Sequence, residues 1–250
     1  MIYRALQMAL VVALILAAPR LIAGEPVDKE LADRLGKKLS VPAMGLTVES
    51  VSTSHLPGLY EVQFANGGPL VYATADGDFF LLGDLYSVGP QGFVNLAEQR
   101  RDGERKETLD AIAKEDMIVF SPEGEPRAYI SVFTDVTCFY CQKLHREVPE
   151  LNKQGVEVRY LAYPRAGIDS DGYRKLASAW CAEDPQDSLT RLKQKQSVPE
   201  NLCEPNPIED QFRLGQQLGV RGTPAIITET GQMIPGYQPA AELIVTLGLE

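Results

Sequence analysis

Residues 129–141 read YISVFTDVTCFYC, and this stretch decides the interpretation of the whole chain. The apolar run at 129–134 is typical of a buried strand, and residues 142–152 are typical of a helix. Cys138 and Cys141 therefore lie where a strand passes into a helix, with two residues between them. This is the arrangement expected of a thioredoxin-like redox site. A helix N-terminus offers unpaired N–H groups and a positive dipole end, which stabilise a thiolate on Cys138.

Haem, zinc and static disulfide sites use the same cysteine spacing. Covalent haem needs histidine directly after the second cysteine, and Gln142 stands there instead, so haem is excluded. Structural zinc needs a second closely spaced ligand pair, whereas Cys181 and Cys203 are far apart and the chain has only two histidines. We therefore expect no metal ligands and no cofactor. A static Cys138–Cys141 disulfide remains the structural alternative, although such a bridge is uncommon at a helix start.

The chain has four cysteines, and an even number in an exported protein suggests pairing. Cys138 and Cys141 form the obvious pair, which leaves Cys181 and Cys203. A bridge between these two would close a loop and stabilise the fold by about 3 kcal/mol in the chain-entropy model. The sequence therefore predicts one reversible pair and one structural disulfide.

The first 23 residues have the pattern of a secretory signal peptide. Arg4 supplies a positive charge, residues 6–18 are apolar apart from Gln7, and the small residues Ala23 and Gly24 follow. The apolar stretch is short for a membrane span, so an uncleaved anchor is the weaker alternative. We expect the mature protein to enter an oxidising compartment. Its net charge of -10 argues against nucleic acid as a partner.

The pattern of the chain changes at about residues 89 and 117. Residues 24–88 predict a small α+β domain, with a helix at Glu30–Leu39 followed by short antiparallel strands. Residues 89–116 carry both charge signs and predict a largely exposed linker, with a helix in its second part and no packed core. From residue 117 to 250, strands and helices alternate, which indicates an α/β domain. Helices are expected there at 172–182, 208–218 and 240–247, and a hairpin at 225–234.

Thr223 and Pro224 precede the apolar strand Ala225–Thr228. An ordinary trans turn is the general expectation for such a proline. If the bond is cis, the Thr223 backbone is held as an exposed edge, and an extended substrate can pair with it. His145, one helical turn after Cys141, is interpreted as a solvated helix residue.

Several motifs together resemble the DsbC family of periplasmic thiol:disulfide isomerases, with DsbG-like proteins as near relatives. The matching stretches are Phe133–His145, Val158–Arg165 continuing to Asp171, Trp180–Ala182 with Cys203, Gly219–Ala225 and Pro235–Pro239. Phe139 departs from the family pattern, since the isomerases commonly have glycine there and their relatives proline. Residues between the thiols tune redox poise, so this difference bears on the reduction potential.

The resemblance implies a cystatin-like N-terminal dimerisation domain, joined by a linker helix to a thioredoxin-fold domain with a helical insertion. It also implies a V-shaped homodimer in the periplasm and a cis bond before Pro224. A membrane electron donor of the DsbD type would keep Cys138 and Cys141 reduced.

The function that follows is isomerisation of incorrect disulfides in misfolded exported proteins. In this hypothesis Cys138 attacks the substrate disulfide and Cys141 resolves the mixed disulfide. Tyr140 lines the approach, and Thr223 and Pro224 bind the substrate backbone. A net disulfide oxidase and a redox-independent chaperone, which holds unfolded chains, are the two alternatives.

Overall fold

The computed structural model describes residues 24–90 and 92–249. The predicted signal peptide, residues 1–23, lies outside this part of the chain. None of the helices in the two described ranges combines the length and the apolar character needed to cross a bilayer.

The described residues form eight α-helices and eleven β-strands. The helices are α1 Lys29–Leu39, α2 Leu96–Asp110, α3 Phe139–Arg146, α4 Val148–Lys153, α5 Asp171–Trp180, α6 Pro185–Lys193, α7 Ile208–Gln217 and α8 Ala240–Thr246. The strands are β1 Val48–Thr53, β2 Leu59–Phe64, β3 Leu70–Thr74, β4 Phe80–Leu82, β5 Tyr86–Gly89, β6 Gly92–Asn95, β7 Ile118–Phe120, β8 Ala128–Thr134, β9 Val156–Ala162, β10 Ala225–Thr228 and β11 Met233–Pro235.

The described chain divides into two compact units, and the first contains residues 24–64 together with Leu70–Leu82. Its antiparallel sheet has the order β1-β2-β3-β4, with α1 packed against it. Asp28 caps α1 by accepting a hydrogen bond from the Leu31 backbone at 2.9 Å. Leu31 and Leu35 lie one turn apart, so both reach the apolar face of the sheet. The predicted small sheet with one helix is confirmed.

The second unit contains residues 65–69 and 83–250 and is built on a five-stranded sheet. The strand order is β11-β10-β8-β9-β7, and the central β8–β9 pair is parallel. Side chains alternate between the two faces: Val132 lies in one apolar cluster and Phe133 in the other. Helices cover both faces, which explains why β8 and β9 are apolar almost throughout. The predicted α/β domain is confirmed, with α5, α6 and α7 inserted between β9 and β10.

The segment predicted to be a largely exposed linker differs from that expectation in two ways. A hairpin of β5 and β6 occupies its start, and α2 then runs from Leu96, earlier than predicted. Asn95 caps α2, and three of its residues are buried: Ala97, Arg105 and Leu109. Leu109 joins the cluster around Phe133, so α2 packs on the second unit. The sequence did not predict this packing because only a narrow face of α2 is apolar.

The helix predicted at 142–152 is two helices, which meet at Glu147. Pro149 is near the start of α4, where its missing N–H costs no helical hydrogen bond. The Glu147 carboxylate accepts hydrogen bonds from the Tyr237 hydroxyl and from the Ala240 backbone N–H, the latter at 2.6 Å. The break therefore provides an anchor for the C-terminal segment as well as a change of direction.

Candidate active site

The loop between β8 and α3 places Cys138 at the N-cap of α3. The Asp135 carboxylate accepts two hydrogen bonds from Thr137, from its backbone N–H and its hydroxyl, each at 2.7 Å. The Cys138 backbone N–H donates to the Asp135 carbonyl oxygen at 3.2 Å. Arg165 adds a backbone N–H bond to the same carboxylate at 2.9 Å. Asp135 therefore fixes the loop that presents the first cysteine.

Cys138 and Cys141 are both free thiols, and both are buried. The pKa of Cys138 is lowered to about 5, chiefly because its sulfur accepts a hydrogen bond from the Cys141 side chain. Burial opposes this shift, whereas hydrogen bonds with Thr223 and with the Cys141 backbone N–H add to it. Burial and the same interaction with Cys138 raise the pKa of Cys141 well above its ordinary value. Cys138 is therefore a thiolate at neutral pH and Cys141 is a thiol.

The loop before β10 lies beside the first thiol. The Cys138 Sγ is 3.2 Å from the Thr223 carbonyl oxygen, and the Thr223–Pro224 peptide bond is cis, as the resemblance implied. Antiparallel pairing of β10 with β8, which sets Ala225 opposite Phe133, brings the loop to this position. The structure thus brings Thr223 and Pro224 next to Cys138, 85 residues away in sequence.

Aromatic side chains surround the approach to Cys138. Phe139 is 61% exposed and Tyr140 is 55% exposed, and their ring centroids are 5.4 Å apart. Tyr140 also stacks on Tyr237, with centroids 6.1 Å apart, and the Lys143 Nζ lies 4.2 Å from the centre of the Tyr237 ring. An exposed aromatic surface, which carries the positive charge of Lys143, therefore lies next to Cys138.

His145 is buried, so its interpretation as a solvated residue is wrong. The Thr190 hydroxyl donates to the Gln186 carbonyl, so it accepts a hydrogen bond from His145 Nε2 at 3.0 Å. His145 Nδ1 then accepts from the Tyr160 hydroxyl, also at 3.0 Å. Burial, followed by the charge of Lys193, lowers the pKa of His145 to about 3, so the ring is neutral. His145 faces inward because the inner side of α3 packs against α6 and β9.

Lys193, at the end of α6, was not identified from the sequence. It is only 2% exposed, and its Nζ donates to the Thr134 hydroxyl and, at 3.4 Å, to the Asp135 carbonyl oxygen. The sequence did contain a sign that this lysine is buried, because Lys193 follows Leu189 by four residues and so shares the buried face of α6.

Cys181 and Cys203 form a disulfide across 22 residues, with their Cα atoms 5.6 Å apart. Cys181 is the C-cap of α5, and Cys203 lies in the loop before α7. That this disulfide has a structural and not a catalytic role stays a prediction.

Comparisons with known proteins agree with this architecture. A family model described as the disulfide bond isomerase protein N-terminal domain matches residues 22–98. A second model, described as a thioredoxin-like domain, matches residues 113–248. The predicted thioredoxin fold of the second unit is therefore confirmed.

Relatives with both domains are similar over most of their length. The thiol:disulfide interchange protein DsbC of Escherichia coli K12 is 36% identical over 212 residues, which cover 85% of this chain and 86% of that protein. DsbC of Dickeya dadantii is 37% identical and covers 86% of this chain and 87% of its own. The catalytic domain of Proteus mirabilis ScsC, at 19% identity, shares the fold with a TM-score of 0.50; the match covers 60% of this chain and 96% of that domain.

Proposed function

Because the chain belongs to the DsbC family of thiol:disulfide interchange proteins, we propose that it isomerises incorrect disulfides in exported proteins, with Cys138 as the nucleophile. The observation that carries this proposal is the position of two buried free thiols at the start of α3, with Cys138 Sγ 3.2 Å from the Thr223 carbonyl oxygen. Cys138 has a pKa of about 5 and Cys141 a raised pKa, so a nucleophile and a protonated second thiol coexist at neutral pH.

The reaction begins when the Cys138 thiolate attacks one sulfur of a substrate disulfide. The bond between Cys138 and that sulfur forms, the substrate S–S bond breaks, and the other substrate sulfur leaves as a thiolate. In isomerisation, a substrate thiolate later attacks the mixed disulfide and releases Cys138 with a different substrate pairing. No net electrons are exchanged in that cycle.

Reduction is the competing outcome of the mixed disulfide. Cys141 loses its proton and attacks Cys138, so a Cys138–Cys141 bond forms and the substrate leaves as a thiolate that takes up a proton. Two electrons then pass from the protein to the substrate. Burial of Cys141, which does not depend on the Cys138 thiolate, raises its pKa and slows this step, which leaves time for substrate rearrangement.

Thr223 and the cis Pro224 lie beside Cys138, and this position supports a role for these two residues in binding substrate backbone. The Thr223 carbonyl lies 3.2 Å from Cys138 Sγ, so a chain paired along this loop has its disulfide at the nucleophile. Tyr140, two residues after Cys138 and exposed, would contact apolar side chains of the same substrate.

Refolding of a scrambled multi-disulfide protein in a reducing glutathione buffer tests the proposal. The wild-type protein should restore the native pairing, and Cys141→Ala should retain part of that activity because isomerisation needs only Cys138. A net oxidase would lose all activity in Cys141→Ala. Failure of the wild-type protein to rearrange the substrate would contradict the proposed function.

We also propose that the protein is a homodimer, joined through the first unit. Strand β4 is the edge of the β1-β2-β3-β4 sheet, and all three of its residues, Phe80, Leu81 and Leu82, are exposed, as is the preceding Phe79. An apolar, unpaired edge strand is prone to pair with another chain, and a second copy of this strand covers both copies equally.

The solution mass of Phe80→Lys tests this arrangement. A charge on β4 should shift the protein from dimer to monomer, whereas Val245→Lys, which changes an exposed apolar residue of α8, should not. A monomeric wild-type protein, or a dimeric Phe80→Lys variant, would contradict the β4 interface.

The compartment and the electron source belong to the same proposal. The signal-peptide pattern of residues 1–23 and the family resemblance support a periplasmic location. A membrane electron donor of the DsbD type would then keep Cys138 and Cys141 reduced in an oxidising compartment.

A further inference from the structure

Lys193 places a buried amino group behind the active-site loop. Its side chain is 2% exposed, and its Nζ is hydrogen bonded to the Thr134 hydroxyl and the Asp135 carbonyl oxygen. The same carbonyl oxygen accepts the backbone N–H of Cys138, at 3.2 Å. One peptide group therefore connects the lysine with the residue that carries the nucleophile.

Burial of an ammonium group is costly unless other charges or dipoles compensate it. Within the described residues, no carboxylate forms an ion pair with Lys193, since the Asp135 carboxylate pairs with Arg165. The face of the Tyr160 ring, 5.5 Å from Nζ, gives some compensation. Among the residues that the structure describes, the negative charges that act on Lys193 are those of the active-site thiol pair and the Asp135 carboxylate.

Helix α3, strand β9 and the loop after β8 present the groups near Lys193 that bear on its charge. Helix α3 contributes Cys141 and the neutral His145, β9 contributes the neutral Tyr160, and the loop after β8 contributes Asp135. Burial lowers the pKa of Lys193, and the charges of Cys141, Asp135 and Cys138 raise it. The cation is therefore favoured most when the thiol pair is reduced and ionised.

We propose that Lys193 is a positioning residue whose buried charge stabilises the reduced, thiolate form of Cys138 and Cys141 over the disulfide form. The inference rests on the proposed function, because an isomerase, unlike a net oxidase, needs the pair to remain reduced. When the disulfide forms, the thiolate disappears and the ammonium loses part of its compensating charge, while the Asp135 carboxylate remains. The disulfide form is then less stable, and the pair is poised toward the dithiol.

The redox equilibrium with glutathione measures this bias directly. Two glutathione thiols reduce the Cys138–Cys141 bond and form glutathione disulfide, so two electrons pass to the protein. Of the two protons released from glutathione, one remains on Cys141 and the other goes to solvent, because Cys138 stays ionised. The equilibrium constant for reduction therefore includes the stability of that thiolate.

The variants are Lys193→Met, which removes the charge at similar length, and Lys193→Arg, which keeps it. Lys193→Met should lower the equilibrium constant for reduction about threefold, as expected for loss of one opposite charge that acts less on Cys138 than its direct hydrogen bonds do, which corresponds to about 15 mV. The ultraviolet titration of the Cys138 thiolate should move to higher pH by about half a unit. Lys193→Arg should stay near the wild-type values.

Lys195→Met is the matched control, because it removes one exposed positive charge two residues further on. It should leave both measurements unchanged. If Lys193→Met does not fold, Lys193→Gln replaces it. Thermal denaturation adds a further readout: loss of the charge should stabilise the disulfide form more than the dithiol form.

Unchanged equilibrium constants and Cys138 titrations in folded Lys193→Met or Lys193→Gln would overturn the proposal. An equal change in stability of both redox forms would also overturn it, since that is what a packing role gives. None of these measurements uses a protein substrate. The wild-type protein could fail to rearrange scrambled disulfides while Lys193→Met still shifts the redox equilibrium constant and the Cys138 titration. That result would contradict the proposed function and support the positioning role of Lys193.

Discussion

The second unit contains two cysteine pairs at opposite ends of helices. Cys138 is the N-cap of α3, where the helix dipole and free N–H groups favour a thiolate. Cys181 is the C-cap of α5, where the dipole has the opposite sign. The buried pair is reduced and strongly polarised, and the more exposed Cys181–Cys203 pair is closed. We therefore expect reactivity in this domain to follow the electrostatic surroundings of a cysteine and not its exposure.

The first test of this comparison is removal of the reactive sulfur. Cys138→Ala should abolish disulfide rearrangement, because no other ionised thiol is available to attack the substrate. Recovery of native pairing in a scrambled substrate measures the effect. The double variant Cys181→Ala, Cys203→Ala should retain activity wherever it is folded. Loss of activity in the folded double variant would show that the two pairs are not separate in role.

The second test is the pH dependence of Cys138 alkylation. The rate should follow a midpoint near pH 5 and stay level from about pH 6 to 8, since only the thiolate reacts. Because the folded pKa is below the unfolded value, ionised Cys138 stabilises the reduced protein as pH rises from about 5, and this contribution is lost as pH falls through 5.

The control for this titration is the same protein unfolded in denaturant. Its alkylation midpoint should return to the ordinary cysteine pKa of about 8.5. Cys141, in contrast, should stay unreactive in the folded protein up to high pH because burial raises its pKa. If the alkylation midpoint of Cys138 is about the same in the folded and the unfolded protein, the contrast drawn between the two cysteine pairs is wrong.

The sequence was sufficient for those parts of the site that depend on local pattern. The strand-to-helix junction, the thiol spacing and the hairpin of β10 and β11 lie in short stretches whose residues carry the signal. The missed features depend on tertiary packing. His145 has a polar side chain on α3, yet β9 and α6 enclose it and supply both hydrogen bonds. Lys193 was missed for the same reason, since its partners Thr134 and Asp135 are almost 60 residues away.

The third test concerns the closed pair and should affect stability alone. Removal of the bridge between Cys181 and Cys203, which are 22 residues apart, should lower the free energy of unfolding of the second unit by about 3 kcal/mol. Denaturant titration of the double variant measures this loss. The Cys138 titration midpoint should not move, because the hydrogen bonds of Cys181 and Cys203 include ones to Asn201 and Asn206, in the loop before α7. A shift of that midpoint would indicate that the disulfide also tunes the reactive pair.

The smallest expected effect is that of the Arg165 charge on the pKa of Cys138, and it distinguishes a nearby charge from direct hydrogen bonds. Arg165 lowers the pKa of Cys138 by its charge, but Cys141 and Thr223 contribute more. Its guanidinium is partly exposed and lies 3.3 Å from the Asp135 carboxylate, so solvent screens its field. Arg165→Gln keeps the backbone N–H bond to Asp135 and should raise the alkylation midpoint by less than about half a pH unit.

Salt dependence identifies the origin of that small shift. A screened charge effect should shrink as ionic strength rises, so the wild-type protein and Arg165→Gln should converge at about 1 M salt, where the Debye length is about 3 Å. Arg174→Gln, which changes an exposed arginine of α5, is the matched control and should titrate like the wild-type protein. A shift of a full unit that persists in salt would mean that Arg165 also holds the loop in place. The thiolate would then depend on the Asp135–Arg165 contact as much as on the end of α3.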